Sequence, residues 1–194
     1  MLAGMPAHDA SPPGRPTILV AVAVDASSAS GAVQAGADVI EFRPSTPSVI
    51  SEFRASHPAV PVYLAADGAP GQIRVHPPGD ASGLPAGSPR RDPPPPVLTE
   101  VMLSDLAGAR AAGLATLVDA DAAAAAALAA AQGRTGPDLA GPDLAGLLAI
   151  IAVAAWLGAD AVRTRHLAPA RRALDMTASI RGLRPPAMAV RGLA

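Results

Sequence analysis

The chain of 194 residues contains no cysteine. Disulfides, thiolate metal sites and thiol nucleophiles are therefore excluded. Lysine is absent too, so all 15 basic residues are arginine. No Schiff-base lysine and no lysine general acid or base can operate here. Asparagine is also missing, and aromatic residues make up 2% of a chain that is 50% hydrophobic. The core must then be built from alanine and aliphatic side chains, which lets elements pack closely while each contact buries little area. The net charge of −1 provides no electrostatic footprint for nucleic acid. Residues 1–16 carry no apolar stretch behind a basic start, which predicts a disordered lead-in and no signal peptide. The longest apolar run, residues 144–157, is interrupted by Gly146 and is too short to span a bilayer comfortably. The composition points to a cytoplasmic protein with neither nucleic acid nor membrane as partner.

What is present is a series of short apolar runs alternating with helical stretches. Residues 17–24 (TILVAVAV), 37–42 (ADVIEF), 60–64 (VPVYL) and 114–118 (LATLV) read as strands buried on both faces, and 72–76 (QIRVH) as a weaker one. Helices are predicted over 28–35, 46–56 with Thr46 as N-cap and Pro47 at the first helical position, 98–112, 120–132, 143–158 and 169–181. Leu167, Ala170, Leu174, Thr177 and Ile180 give the last helix one apolar face. Glycine ends a helix and the chain turns into a strand at Gly36, Gly113 and Gly158. Residues 77–96 hold a run of four prolines and read as a surface loop or internal linker. The direct repeat Gly136-Pro-Asp-Leu-Ala and Gly141-Pro-Asp-Leu-Ala reads as a local duplication in a loop. The alternation predicts an α/β fold: a reduced or incomplete (β/α) TIM-type barrel with mostly parallel strands, forming one domain over residues 17–194.

Leu157-Gly-Ala-Asp-Ala-Val-Arg163-Thr-Arg165-His166-Leu-Ala-Pro169 carries the most chemistry. It reads as a helix end, a buried strand, and then two arginines and a histidine just before another helix. Guanidinium forks beside free helix N–H groups suit an anion. A salt-bridge cluster with Asp160 or Asp175 is the alternative. Asp25 stands at the end of the first strand, where it serves either a ligand or the following helix as N-cap. Glu41 and Arg43 flank Phe42 at the end of the second strand and either orient a polar ligand or pair with each other at the surface. Asp67 and Asp119 follow strands, as turn or cap residues do. His57 and His76 are isolated, and no spacing suggests a metal site.

Gly158-Ala159, Arg163, Arg165-His166 and Arg172-Ala-Leu-Asp-Met176 together resemble the last strand and helix of the dihydropteroate synthase family of pterin-binding barrels. Ala35-Gly-Ala-Asp-Val-Ile40 followed by Ser45-Thr46 looks like that family's second strand and loop. The resemblance implies a cytoplasmic transferase of folate biosynthesis. Such an enzyme condenses a hydroxymethyl-dihydropterin diphosphate with 4-aminobenzoate. It implies that Arg163 holds the departing diphosphate, with Arg165 and His166 assisting, and that Asp67 corresponds to a pterin-binding aspartate. Asp25, Glu41 and Arg43 complete the substrate- and anion-binding set. The small-molecule partner would be a pterin diphosphate or another anionic ligand. No resident cofactor is implied; Mg2+ would arrive on the substrate diphosphate, and the assembly would be a homodimer. The chain departs from the family in lacking the asparagine of the first strand, here residues 23–27, and any lysine. Two other readings stand beside the transferase. One is a non-catalytic paralogue that binds a ligand or a partner; the other is an unrelated barrel fragment with a structural arginine cluster.

Overall fold

The computed structural model describes residues 16–43, 46–65, 72–76, 97–132 and 143–184. Its strands are β1 (Ile18–Ala23), β2 (Val39–Phe42), β3 (Val62–Ala65), β4 (Gln72–His76), β5 (Val97–Glu100), β6 (Thr116–Asp119) and β7 (Ala161–Arg163). The helices are α1 (Ala26–Gln34), α2 (Pro47–Ser56), α3 (Leu106–Ala111), α4 (Ala120–Gln132), α5 (Leu144–Trp156) and α6 (Leu167–Ile180), with a short 3-10 turn at Leu103–Asp105. The strands close into a barrel in sequence order, and β1 is hydrogen-bonded to both β2 and β7. Six strands run parallel, as the alternation of elements predicts; β4 runs against β3 and β5. Among the described residues the result is an incomplete TIM-type barrel, one strand short of eight. Only residues 66–71 separate β3 from β4. That is too little chain for a crossover helix, so the second strand must return antiparallel.

One expectation fails at β5. Residues 98–112 read as one helix, yet Val97–Glu100 pairs with both β4 and β6, and the helix begins only at Leu106. Leu98 is buried in the barrel interior, and that burial overrides the helical preference of the segment. The apolar face of α6 is also shifted from the expected one. Ala170, Ala173, Leu174, Thr177 and Ala178 are buried, whereas Ile180 is exposed. Thr46 occupies the N-cap of α2 as expected, but its side chain makes no capping bond. Residues 1–15 of the lead-in, the proline-rich segment at 77–96 and residues 136–142 of the repeat lie outside the described residues, while the end of the repeat, expected as loop, caps and opens α5 at Asp143 and Leu144.

Two Gly-Ala-Asp triplets show how the sequence sets the barrel wall. Gly36 and Gly158 take φ of +100° and +86°, the left-handed conformation that glycine adopts without strain. Ala37 and Ala159 follow, buried, each donating its N–H back into the preceding helix, to Ala32 and Ala154. The aspartates then reach the adjoining strand. Asp38 accepts from the Leu19 N–H at 2.7 Å, and Asp160 from the Thr116 N–H at 2.9 Å. Each triplet thus ends a helix, starts a strand and ties that strand to its neighbour. An arginine covers each glycine: Arg171 donates to the Gly36 carbonyl, and Arg110 to the Leu157 carbonyl beside Gly158.

Alternation along the strands sorts the core into shells. Leu19, Val118 and Val162 face α5 and α6, while Ala21, Ile40, Phe42 and Val62 meet α1 and α2. Phe42 and Phe53 touch edge to face at 5.6 Å, and Phe53 stacks on His57. The interior of the barrel holds Val20, Val39, Tyr63, Leu98, Leu117 and Ala161. Among the described residues no helix is long and apolar enough to cross a membrane.

Candidate functional site

The period of two that fills the barrel also builds the site. Val39, Leu98, Leu117 and Ala161 form part of the interior apolar layer. Two residues further along the same strands stand Glu41, Glu100, Asp119 and Arg163, which point the same way and lie nearer the carboxyl ends. Three carboxylates and one guanidinium therefore meet on top of the apolar layer, at the end of the barrel where such folds place their chemistry. On β1 the corresponding position is Val22, which is exposed.

Arg163 is held from three sides. Its Nε and Nη2 both donate to Asp119 Oδ2, at 3.1 and 2.8 Å. Nη2 also lies 2.8 Å from Glu100 Oε1, and Nη1 donates to Glu41 Oε2 at 3.2 Å. The side chains of Arg163 and Glu41 are 5% and 1% exposed, so this pairing is shielded from water. Burial alone would lower the guanidinium's pKa. The Asp119 hydrogen bond, the Glu41 charge and the Glu100 hydrogen bond outweigh it and hold the group well above its ordinary range. The Tyr63 hydroxyl is also pushed up, first by burial and then by the charges of Asp160 and Glu41.

A cleft of about 280 Å³ opens above this network. Arg43, Arg163 and Arg165 line it together with Asp119 and Asp121, and Val22 and Ala122 supply apolar wall. Glu41 pairs with Arg43 through one oxygen and with Arg163 through the other. The expected Glu41–Arg43 pair is thus present, but the glutamate is fully buried because all four residues of β2 are buried. Arg43 itself is 53% exposed. Arg165 is 73% exposed, and its backbone N–H donates to Asp121 Oδ2 at 2.9 Å. The other Asp121 oxygen accepts from Thr164 at 3.2 Å.

The remaining candidates disperse. Asp25 caps α1, accepting from the Ser28 N–H at 2.7 Å, while the Ser28 hydroxyl answers to the Asp25 N–H. That bond lowers the Asp25 pKa. His166 is exposed and is not among the residues lining the cleft; its backbone N–H donates to Thr164 Oγ1. Asp67 lies outside the described residues. Asp160 and Asp175 are not partners of Arg163: the first serves Thr116, and the second Arg171 and Arg184. Sequence reasoning missed Glu100 and Asp121. The alternation of Val97, Leu98, Thr99 and Glu100 was the available signal for the first; no signal marked the second. Among the described residues no group of three or more His, Asp or Glu side chains is placed to hold a metal ion.

No protein-family profile matches the chain. A segment of 51 residues is 53% identical to "Inactive dihydropteroate synthase 2" of Mycobacterium bovis and of Mycobacterium tuberculosis, covering 26% of this chain. The match spans only 16% of the length of those relatives. In fold, the dihydropteroate synthase of Yersinia pestis superposes with a TM-score of 0.54 at 15% identity, over 88% of this chain and 95% of the other. A dihydropteroate synthase of Coxiella burnetii, solved in complex with pteroic acid, aligns over 87% of this chain and 69% of its own with a TM-score of 0.36 and 14% identity. A reduced barrel of the same type and a short stretch of close sequence identity together give this chain a distant resemblance to the dihydropteroate synthase family.

Proposed function

We propose that this chain is a dihydropteroate synthase-like, pterin-binding barrel that does not carry out the condensation with 4-aminobenzoate. The observation that carries this reading is the state of Arg163. A diphosphate leaving group needs donors that are free to meet its growing charge. Here the Arg163 fork is already engaged by Asp119, Glu41 and Glu100. An anion would have to displace a carboxylate from Arg163, and Glu41, which is fully buried, would be left without its cation. The absence of lysine and asparagine from the sequence supports the same reading, as does the short stretch of identity to mycobacterial proteins described as inactive synthases. Residues 17–194 then serve as one ligand-binding domain.

What the cleft offers a pterin is an apolar wall at Val22 and Ala122 beside the carboxylates of Asp119 and Asp121. Carboxylates accept hydrogen bonds from the amino and ring N–H edge of such a heterocycle. Calorimetric titration with a hydroxymethyl-dihydropterin diphosphate, run beside a coupled assay for pteroate, tests the reading. The expected result is heat of binding without product. Pteroate formation would establish an active synthase, and an absence of heat would leave the cleft without a pterin ligand.

A further inference from the structure

We propose that α4 is a movable wall of the cleft: it leaves the barrel at lower cost than the rest of the fold opens, and Asp121 couples that movement to the turn at Thr164 and Arg165. The bearing of this movement on ligand access rests on reading the cleft as a ligand site. The first observation is how little α4 buries. All but Asp121, Leu128 and Gln132 of its 13 residues are alanine. Those buried among the described residues are Ala120 and Ala124. The neighbouring helices bury larger groups, Leu147 and Ile151 from α5 and Leu174 and Thr177 from α6. A buried alanine withdraws one methyl group from water, a fraction of what leucine or isoleucine withdraws. Segments with so few buried apolar groups open locally before the whole protein unfolds. Alanine favours the helical form, but a free helix of this length is marginal in water, so α4 frays once it leaves the barrel.

The second observation is where α4 is pinned. Its polar ties gather at one end. Asp119, at the end of β6, accepts from the Ala122 N–H at 3.0 Å. Asp121 accepts from the Thr164 hydroxyl at 3.2 Å and from the Arg165 N–H at 2.9 Å. From Ala123 to Ala131 the helix has no polar side chain with which to hold a neighbour. The pinned end is also the end that meets the cleft: Asp121 and Ala122 line it beside Thr164 and Arg165. Docked, α4 presents the Asp121 carboxylate and the Ala122 methyl to the cleft and fixes the turn through the Arg165 N–H. Undocked, it withdraws both and releases the turn. A ligand that touches this wall binds the docked form more tightly, so it draws α4 onto the barrel. Anything that loosens α4 weakens the ligand by the same factor.

Hydrogen exchange of backbone amides, followed by NMR on the full chain, tests this without a ligand. In wild type the amides in the middle of α4 should exchange about tenfold faster, or more, than those in the middle of α5 and α6. Ala126→Gly changes an exposed residue more than one turn beyond Asp121. Its effect is on helix propensity, so it should speed exchange along α4 about fivefold. The Arg165 amide, whose acceptor sits on α4, should speed up by the same factor while α5 and α6 keep their rates. Asp121→Ala, which removes the tie itself, should speed α4 as well. Exchange in α4 as slow as in α5, or an Arg165 amide that ignores Ala126→Gly, would overturn the proposal. Added 6-hydroxymethylpterin separates it from the pterin reading. Calorimetric heat together with slowed α4 exchange supports both. Heat with α4 exchange unchanged would overturn the coupling of the wall to the ligand. No heat, with α4 and Arg165 still accelerated together by Ala126→Gly, would remove the pterin reading and leave the movable wall standing.

Discussion

Arg163 directs two of its nitrogens, Nε and Nη2, at one oxygen of Asp119, its register partner across β6 and β7. The other Asp119 oxygen accepts from the Ala122 N–H at the start of α4. One carboxylate therefore anchors the arginine and caps a helix. The charged layer of the barrel is in this way tied to its outer shell.

Removing the cation should be costly. Arg163→Met leaves Glu41, Glu100 and Asp119 facing one another with no guanidinium between them. A loss of about 3–5 kcal/mol is expected in urea denaturation near neutral pH. Part of that loss is repulsion among the three carboxylates, so added salt should shrink the deficit. A deficit that does not respond to salt would show that packing dominates.

Glu100 is the most exposed of the three carboxylates, at 34%. Glu100→Gln should change stability by less than about 1 kcal/mol. It also removes one negative charge from beneath the cleft, so under the proposed function affinity for the pterin diphosphate should rise. A drop in affinity would mean that Glu100 helps to hold the site open.

Gly158 and Gly113 make a matched pair. Both have positive φ, at +86° and +75°. A Cβ on Gly113 meets nothing within 4 Å, whereas one on Gly158 falls 2.5 Å from Arg110 Nη1. Gly113→Ala should cost about 1–2 kcal/mol for backbone strain alone. Gly158→Ala should cost about 1 kcal/mol more, because Arg110 must leave the Leu157 carbonyl. In an Arg110→Ala background the two penalties should become equal, as thermal melts of the four variants would show.

Asp25 supplies a pH signature. Its folded-state pKa is depressed below 3.8 by the Ser28 backbone bond, so its contribution is present above that value and lost as pH falls through the folded one. Asp25→Ala should lower the melting temperature at neutral pH. The gap to wild type should narrow once the carboxylate is protonated. An unchanged gap in acid would point to lost packing of α1 in place of a lost charge.

Trp156, the single tryptophan of the chain, is 57% exposed at the end of α5. Its emission should match that of indole in water and be readily quenched by acrylamide. A blue shift that grows with protein concentration would place the α5 surface in a contact between copies.

The sequence made the helix-to-strand steps legible because their signals are local. Gly36 and Gly158, with the alanine and aspartate that follow each, mark the barrel wall within four residues of chain. The partners of Arg163 were not legible for the opposite reason. Asp119 lies 44 residues away and meets Arg163 through the pairing of β6 with β7, and Glu41 lies 122 away and meets it because β1 joins β2 to β7. Asp160 and Asp175 are near in sequence but turn to other groups. Glu100 was hidden inside a segment that favours helix, where a strand of four residues is too short to impose its period. Glu41 and Arg43 were recognisable as a pair, but the depth of Glu41 depends on strands β1 and β3 covering its own.

The reversed strand β4 has a topographic consequence. Because β4 descends while β5 ascends, His76 and Val97 stand at the end of the barrel opposite Arg163, close to the register pair Val62 and His76. The described chain therefore leaves β4 and enters β5 at the floor of the barrel, while the cleft lined by Arg163 opens at the roof. Substitutions at these two strand ends act on the face of the barrel farthest from the charged layer.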